Sequence, residues 1–204
     1  MTSGIHWMAS AMLAAKAKLE VAADNLANAS SDGFHKRLAK TIVTADGLRT
    51  AATRSPEKGM TRYTGRTMDL ALLGNGAFIV APQRDPKLAQ ATRTGTFVCD
   101  RQGYVVDFAG RTLIGKDGAF VRLPRSLPIA ADGTWRDGNR VVAQIALPQG
   151  TTVRSGFLEG SNVNAIGEMI DIIDAQRAFE TAQKTLSALD ETRSKAANEM
   201  GQIK

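Results

Sequence analysis

The side chains that most often do chemistry are few in this 204-residue chain. Its two histidines are His6 and His35, and neither has a Ser, Cys or carboxylate at a spacing that builds a nucleophile and base. The single cysteine, Cys99, excludes an internal disulfide and argues against a Cys-based zinc site; alternating with apolar neighbours, it reads as a half-buried thiol. Asp69, Asp100 and Asp107 are the carboxylates to test as a paired acid and base for glycoside hydrolysis, but Asp at strand ends and turns is ordinary. Asp117-Gly118, Asp132-Gly133 and Asp137-Gly138 lack the alternating Asp/Asn ligands and terminal Glu of a calcium loop, so they read as turns. Gly74-Asn75-Gly76 is followed by an apolar strand-like run and no Lys, which favours a β-hairpin turn over a phosphate cradle. The expectation is a protein with no catalytic residues, no cofactor and no metal.

The elements that would position any site divide the chain in three. Ala165 onward contains no Pro and is rich in good helix formers, predicting one long helix to Ile203 with Ser161 or Asn162 as its cap. Glu168 and Asp171 fall near its positive end, and Lys195 and Lys204 near the other. Ala175, Phe179, Ala182, Leu186, Leu189, Ala196, Met200 and Ile203 follow a 4-3 spacing broken by Arg193. Ile5, Met8, Met12, Ala15, Leu19, Ala22, Leu26 and Ala29 repeat that spacing over a first helix, residues 3–29, stopped by Ser30-Ser31-Asp32-Gly33. Matching seams at the two ends imply termini that pair with each other, with copies of themselves, or both.

Between the helices the composition changes. All six prolines and sixteen of the nineteen glycines lie from Gly33 to Gly160, and residues 34–160 carry 19 Lys and Arg against 10 Asp and Glu. Residues 34–66 read as an extended linker, and 67–158, with short apolar runs punctuated every ten residues or so, as an antiparallel β domain. The terminal helical segments are therefore expected over 1–33 and 159–204, giving an α+β chain whose two terminal helices pair as a coiled-coil-like stalk around the inserted β domain. The basic residues of the middle are scattered, without the runs or aromatic interleaving of a nucleic-acid binder. No stretch of 18 apolar residues or charged start with an apolar core is present, so neither membrane insertion nor a cleaved secretory signal is expected.

Three motifs resemble one family. Ala22-Ala23-Asp24-Asn25-Leu26-Ala27-Asn28 with Gly33-Phe34 is similar to the amino-terminal signature of the bacterial flagellar rod and hook proteins. Gly156-Phe157-Leu158-Glu159-Gly160-Ser161-Asn162-Val163-Asn164, with Gln176-Arg177-Ala178-Phe179-Glu180, resembles their carboxy-terminal signature. Asp69-Leu70-Ala71 before Gly74-Asn75-Gly76, and Arg93-Thr94-Gly95-Thr96-Phe97, are similar to the strands that open the β domain of rod proteins. The likeness leans toward the proximal rod protein, with the distal rod protein next; Asp24 stands where Asn is usual, Phe179 where Tyr is common, and the chain is short, with the deficit expected between Arg140 and Thr151.

The resemblance implies a structural subunit of the basal-body rod in the periplasm. It would be exported by the flagellar type III apparatus without a cleaved signal and would assemble head-to-tail with itself and other rod and hook proteins, so that the tube transmits torque and encloses the export channel. It implies an assembly interface of Met12, Leu19, Asn25, Leu26, Asn28, Gly33, Phe34, Ser161, Asn162, Val163, Gln176, Arg177, Phe179, Leu186 and Leu189. The competing readings are a distal-rod or hook-like subunit, a binding or chaperone-like module with a private intramolecular coiled coil, and a wall-cleaving enzyme.

Overall fold

The structure, a computed structural model, describes residues 4–83 and 85–201; residue 3, Ile203, Lys204 and the side chain of Met200 lie outside what is described. Among the described residues, two helices, α1 (Gly4–Ala27) and α2 (Ala165–Gly201), bracket thirteen short strands, so the architecture is α+β. The strands are β1 (Arg37–Thr44), β2 (Gly47–Arg54), β3 (Thr61–Tyr63), β4 (Leu70–Leu73), β5 (Phe78–Pro82), β6 (Gln90–Thr92), β7 (Phe97–Cys99), β8 (Val105–Asp107), β9 (Arg111–Leu113), β10 (Thr134–Asp137), β11 (Arg140–Gln144), β12 (Thr152–Ser155) and β13 (Phe157–Glu159). They group into two compact units: residues 4–29, 36–56 and 163–201 form the helical unit, and residues 30–35 and 57–162 the β unit.

In the helical unit α1 and α2 run antiparallel and pack on one another, with Gly4 beside Leu189 and Asn25 bonded to Glu168. On α2 the shielded positions are Glu168, Ile172, Ala175, Phe179, Ala182, Leu186 and Leu189, the 4-3 stripe that a helix turns to one neighbour. Beyond Leu189 every described position to Ala196 is exposed, Arg193 and Ala196 included. Helix α2 is capped by Asn164, whose Oδ1 accepts from the backbone N–H of Ile166 and Gly167 at 3.1 and 3.3 Å. The expected caps do not serve, because a cap must adjoin the first helical residue. Asn162 instead donates its side-chain amide to the carbonyl of Glu57 at 2.8 Å.

Residues 37–54, expected within an extended linker, form a fully paired antiparallel hairpin from Arg37↔Arg54 to Thr44↔Gly47, packed on α1. Its turn needs Gly47, where φ is 121° and an added Cβ would sit 2.5 Å from Ser10 Oγ. Ser10 Oγ also accepts from the Leu48 N–H at 3.1 Å, tying hairpin to helix.

The β unit is antiparallel throughout its ladders. Its largest sheet runs β6-β5-β9-β8-β7, and two-stranded pairs join β12 to β4, β13 to β3 and β10 to β11. Leu70, Leu72, Phe78, Phe97, Leu113, Leu123, Val153 and Trp135 fill its core. The Gly74-Asn75-Gly76 loop is not a hairpin turn: β4 pairs with β12 and β5 with β6 and β9. The Arg93 guanidinium holds the carbonyls of Leu72, Gly74 and Gly76 at 2.7–3.0 Å, which directs the two flanking strands into different sheets.

Candidate assembly surfaces

Two polar clusters hold the segments where the sequence motifs lie. The first is in the helical unit. Asn25, fully buried, accepts from the Arg37 N–H at 2.7 Å and donates to the Arg37 carbonyl at 2.8 Å and to Glu168 Oε2 at 2.9 Å. Lys36 Nζ lies 2.6 Å from Glu168 Oε1, so the buried carboxylate is met by a cation and an amide. One asparagine thus joins α1, β1 and α2. Asp24 pairs with Arg37 at 3.0 Å, and Asn28 closes the helix by donating to the Asp24 carbonyl at 2.9 Å.

The second cluster is in the β unit and is built on Glu159, which is 2% exposed. Its Oε2 accepts from Arg93 Nε at 2.7 Å, and its Oε1 lies 2.9 Å from His35 Nε2 and accepts from the Gly59 N–H at 3.3 Å. The Gly33 N–H donates to the Glu159 carbonyl at 2.7 Å. Gly33 sits at φ 72°, and a Cβ there would lie 2.5 Å from the Arg93 backbone, so the Gly-Phe turn is fixed by fit and by backbone conformation together. Phe34 follows it half-buried, its carbonyl accepting from the Asn162 N–H at 3.4 Å. Sequence reasoning named Gly33, Phe34 and Asn162 but missed the buried Arg93–Glu159 pair; His35, read as a lone histidine, is part of that cluster.

The expected interface residues therefore fall into three settings. Met12, Leu19 and Leu26 on α1, and Phe179, Leu186 and Leu189 on α2, are half-buried on the seam positions of the helical unit. Asn25, Asn28, Gly33, Phe34 and Asn162 hold local structure, with Ser161 and Val163 half-buried beside them. Gln176 and Arg177 are exposed and off the seam. A cleft of about 430 Å³ in the helical unit is lined by Lys18, Lys36, Arg37, Leu38, Asp171 and Asp174 among others. Among the described residues no group of three or more His, Cys, Asp or Glu could hold a metal ion, and no helix is long and apolar enough to cross a membrane.

The signatures and their surroundings match known proteins. A family profile described as "Flagella basal body rod protein" matches residues 7–35, and one described as "Flagellar basal body rod FlgEFG protein C-terminal" matches residues 154–200. The chain is similar to the flagellar basal-body rod protein FlgF of Escherichia coli, 32% identical across 94% of this chain and 96% of the relative. It is 29% identical to FlgF of Mesorhizobium japonicum over 94% of this chain and 96% of that one. It is 26% identical to FlgG of Bacillus subtilis over 85% and 90% of the two chains. The alignment with the E. coli protein runs over 246 positions against 204 residues here, so that relative carries extra residues within the matched region.

Proposed function

The chain belongs to the flagellar basal-body rod protein family, and from that premise we propose that it is laid down as a structural subunit of the rod, nearest in kind to the proximal rod protein FlgF, by contacts through its helical unit. The observation that carries this reading is the division of labour between the units. The β unit has a closed apolar core around Trp135 and Phe78, and its exposed apolar residues, such as Met60, Tyr63, Leu88 and Phe108, do not share one helix face, whereas the helical unit gathers Ile166, Met169, Ile170 and Ile173, between 48 and 72% exposed, into one stripe at i, i+3, i+4 and i+7. A single folded chain gains nothing from such exposure, and a subunit with neighbours does.

Assembly is head-to-tail with itself and with other rod and hook proteins, since a heterologous contact that does not close produces a tube. Delivery through the flagellar type III export apparatus, without a cleaved signal, and a place in the periplasm-spanning rod complete the proposal. Catalysis has no part in it.

Removal of residues 185–204 tests it. The shortened chain is expected to fail to restore motility in cells lacking the full-length protein and to be absent from isolated basal bodies, while the buried Trp135 still reports a folded β unit. Loss of the β-unit fold as well would favour a self-contained coiled-coil module. Full motility with the truncated chain would refute a need for the end of α2 in assembly and count against the proposal.

A further inference from the structure

The seam positions of α1 and α2 are turned toward each other inside one chain, so contacts between subunits need a different surface. The helical unit offers two. On α2, Ile166, Met169, Ile170 and Ile173 recur at i, i+3, i+4 and i+7 and are 72, 51, 54 and 48% exposed. They form an aliphatic stripe on the face away from Glu168, Ile172 and Ala175, ending where Arg177 begins the polar continuation. On the hairpin, strand alternation and the Ile42↔Arg49 register place Leu38, Lys40, Ile42 and Arg49 on one face. Leu38 and Ile42 there are 42 and 50% exposed, while on the opposite face Ala39, Thr41 and Thr50 are shielded and Val43, beside the turn, is open.

The charges are complementary. Leaving out Glu168, which is buried and paired with Lys36, residues 165–180 carry Asp171, Asp174 and Glu180 against Arg177, a balance of −2, and hairpin residues 37–54 contain four basic residues against Asp46, a balance of +3. Asp171, Asp174 and Glu180 are exposed on the helix, and Lys40 and Arg49 on the hairpin. Apolar stripe against apolar face, with exposed charge of opposite sign on the two elements, is an arrangement that gives both adhesion and register.

Resting on the rod reading, we propose that the Ile166–Ile173 stripe of one subunit docks on the Leu38–Ile42 face of the β1–β2 hairpin of a second copy of this chain. The two surfaces differ and are both on every copy, so the contact repeats without closing.

Two full-length, motility-restoring copies in a Cys99→Ser background test it, one carrying Ile173→Cys and the other, differently tagged, carrying Ile42→Cys. Oxidation of isolated basal bodies is expected to give a disulfide-linked dimer containing both tags. Recovery of both copies in basal bodies without that dimer, or with cross-links only to other rod subunits, would overturn the docking. Absence of both copies from basal bodies would instead overturn the rod assignment. Independently, Ile170→Arg sets a cation against Lys40 and Arg49 and is expected to cut incorporation about tenfold. Its melting curve should match the parent's, since Ile170 is 54% exposed; incorporation equal to the parent's would count against the proposal.

Discussion

Removing the carboxylate of Glu159 would strand the Arg93 guanidinium in a site where each is 8% exposed or less. Because the pair is buried, losing one partner costs far more than the pair contributes on balance, about 3–5 kcal/mol. Glu159→Gln in a Trp7→Phe background, where Trp135 alone reports, should therefore unfold at clearly lower urea; an unchanged midpoint would show that the cluster is not under electrostatic load. None of this was legible from the residues alone. Arg93 and Glu159 lie 66 positions apart, and only the fold brings Nε within 2.7 Å of Oε2. Asp132 is a local counterpart that sequence did flag as a turn. The Thr134 hydroxyl and backbone N–H donate to it at 2.6 and 3.0 Å and hold its carboxyl below the ordinary 3.8. A depressed folded value stabilises the turn above the unfolded pKa, and that contribution is lost as pH falls below 3.8 through the folded value. Carboxyl NMR titration should find Asp132 among the more acidic groups, and Asp132→Asn should flatten the stability profile in that acid window.

Elements were legible where side-chain spacing carries the signal. The helical stripes are visible because burial of one face selects apolar residues every third or fourth position, and Ala175, Phe179, Ala182, Leu186 and Leu189 are indeed the less exposed positions of α2. The β1–β2 hairpin was not visible, because its shielded positions Ala39, Thr41, Leu48 and Thr50 mix small, polar and apolar residues without an apolar-polar alternation, and the hydrogen bonds from the Arg37 and Leu48 N–H groups that tie it to α1 leave no mark in side-chain spacing. Two substitutions weigh these modes of attachment. Gly47→Ala combines a strained φ with a clash on Ser10 and should cost about 2 kcal/mol, seen as a lowered melting temperature followed by Trp7 fluorescence. Phe179→Ala would cost about 3–5 kcal/mol for a fully buried ring, but the half-exposed ring of α2 sets the expectation nearer 2 kcal/mol. A larger measured loss in the isolated chain would mean the seam is tighter than its exposure indicates.

At the scale of the whole molecule, composition foretold that residues between Gly33 and Gly160 would behave differently from the ends. It did not foretell that residues 36–56 would join the helices. The reason is physical: composition registers Pro, Gly and charge, whereas the grouping depends on Asn25 reaching Arg37 and Glu168 from another helix. The two units should also differ in how they open. Leu70, Ala71, Val80 and Leu113 are fully buried in laddered strands, so their amides can exchange only when the β unit opens. Positions 190–196 of α2 are exposed on every face, and the Glu191–Lys195 pair and the hydrogen bond from the Thr192 hydroxyl to the Ala188 carbonyl, both at 2.8 Å, lie within their own helix. Hydrogen exchange on the isolated full-length chain is therefore expected to leave β4, β5 and β9 protected longest and to label 190–196 within the earliest times. Protection of 190–196 equal to that of the β-unit strands in the isolated chain would mean that the tip is already held before any neighbour arrives.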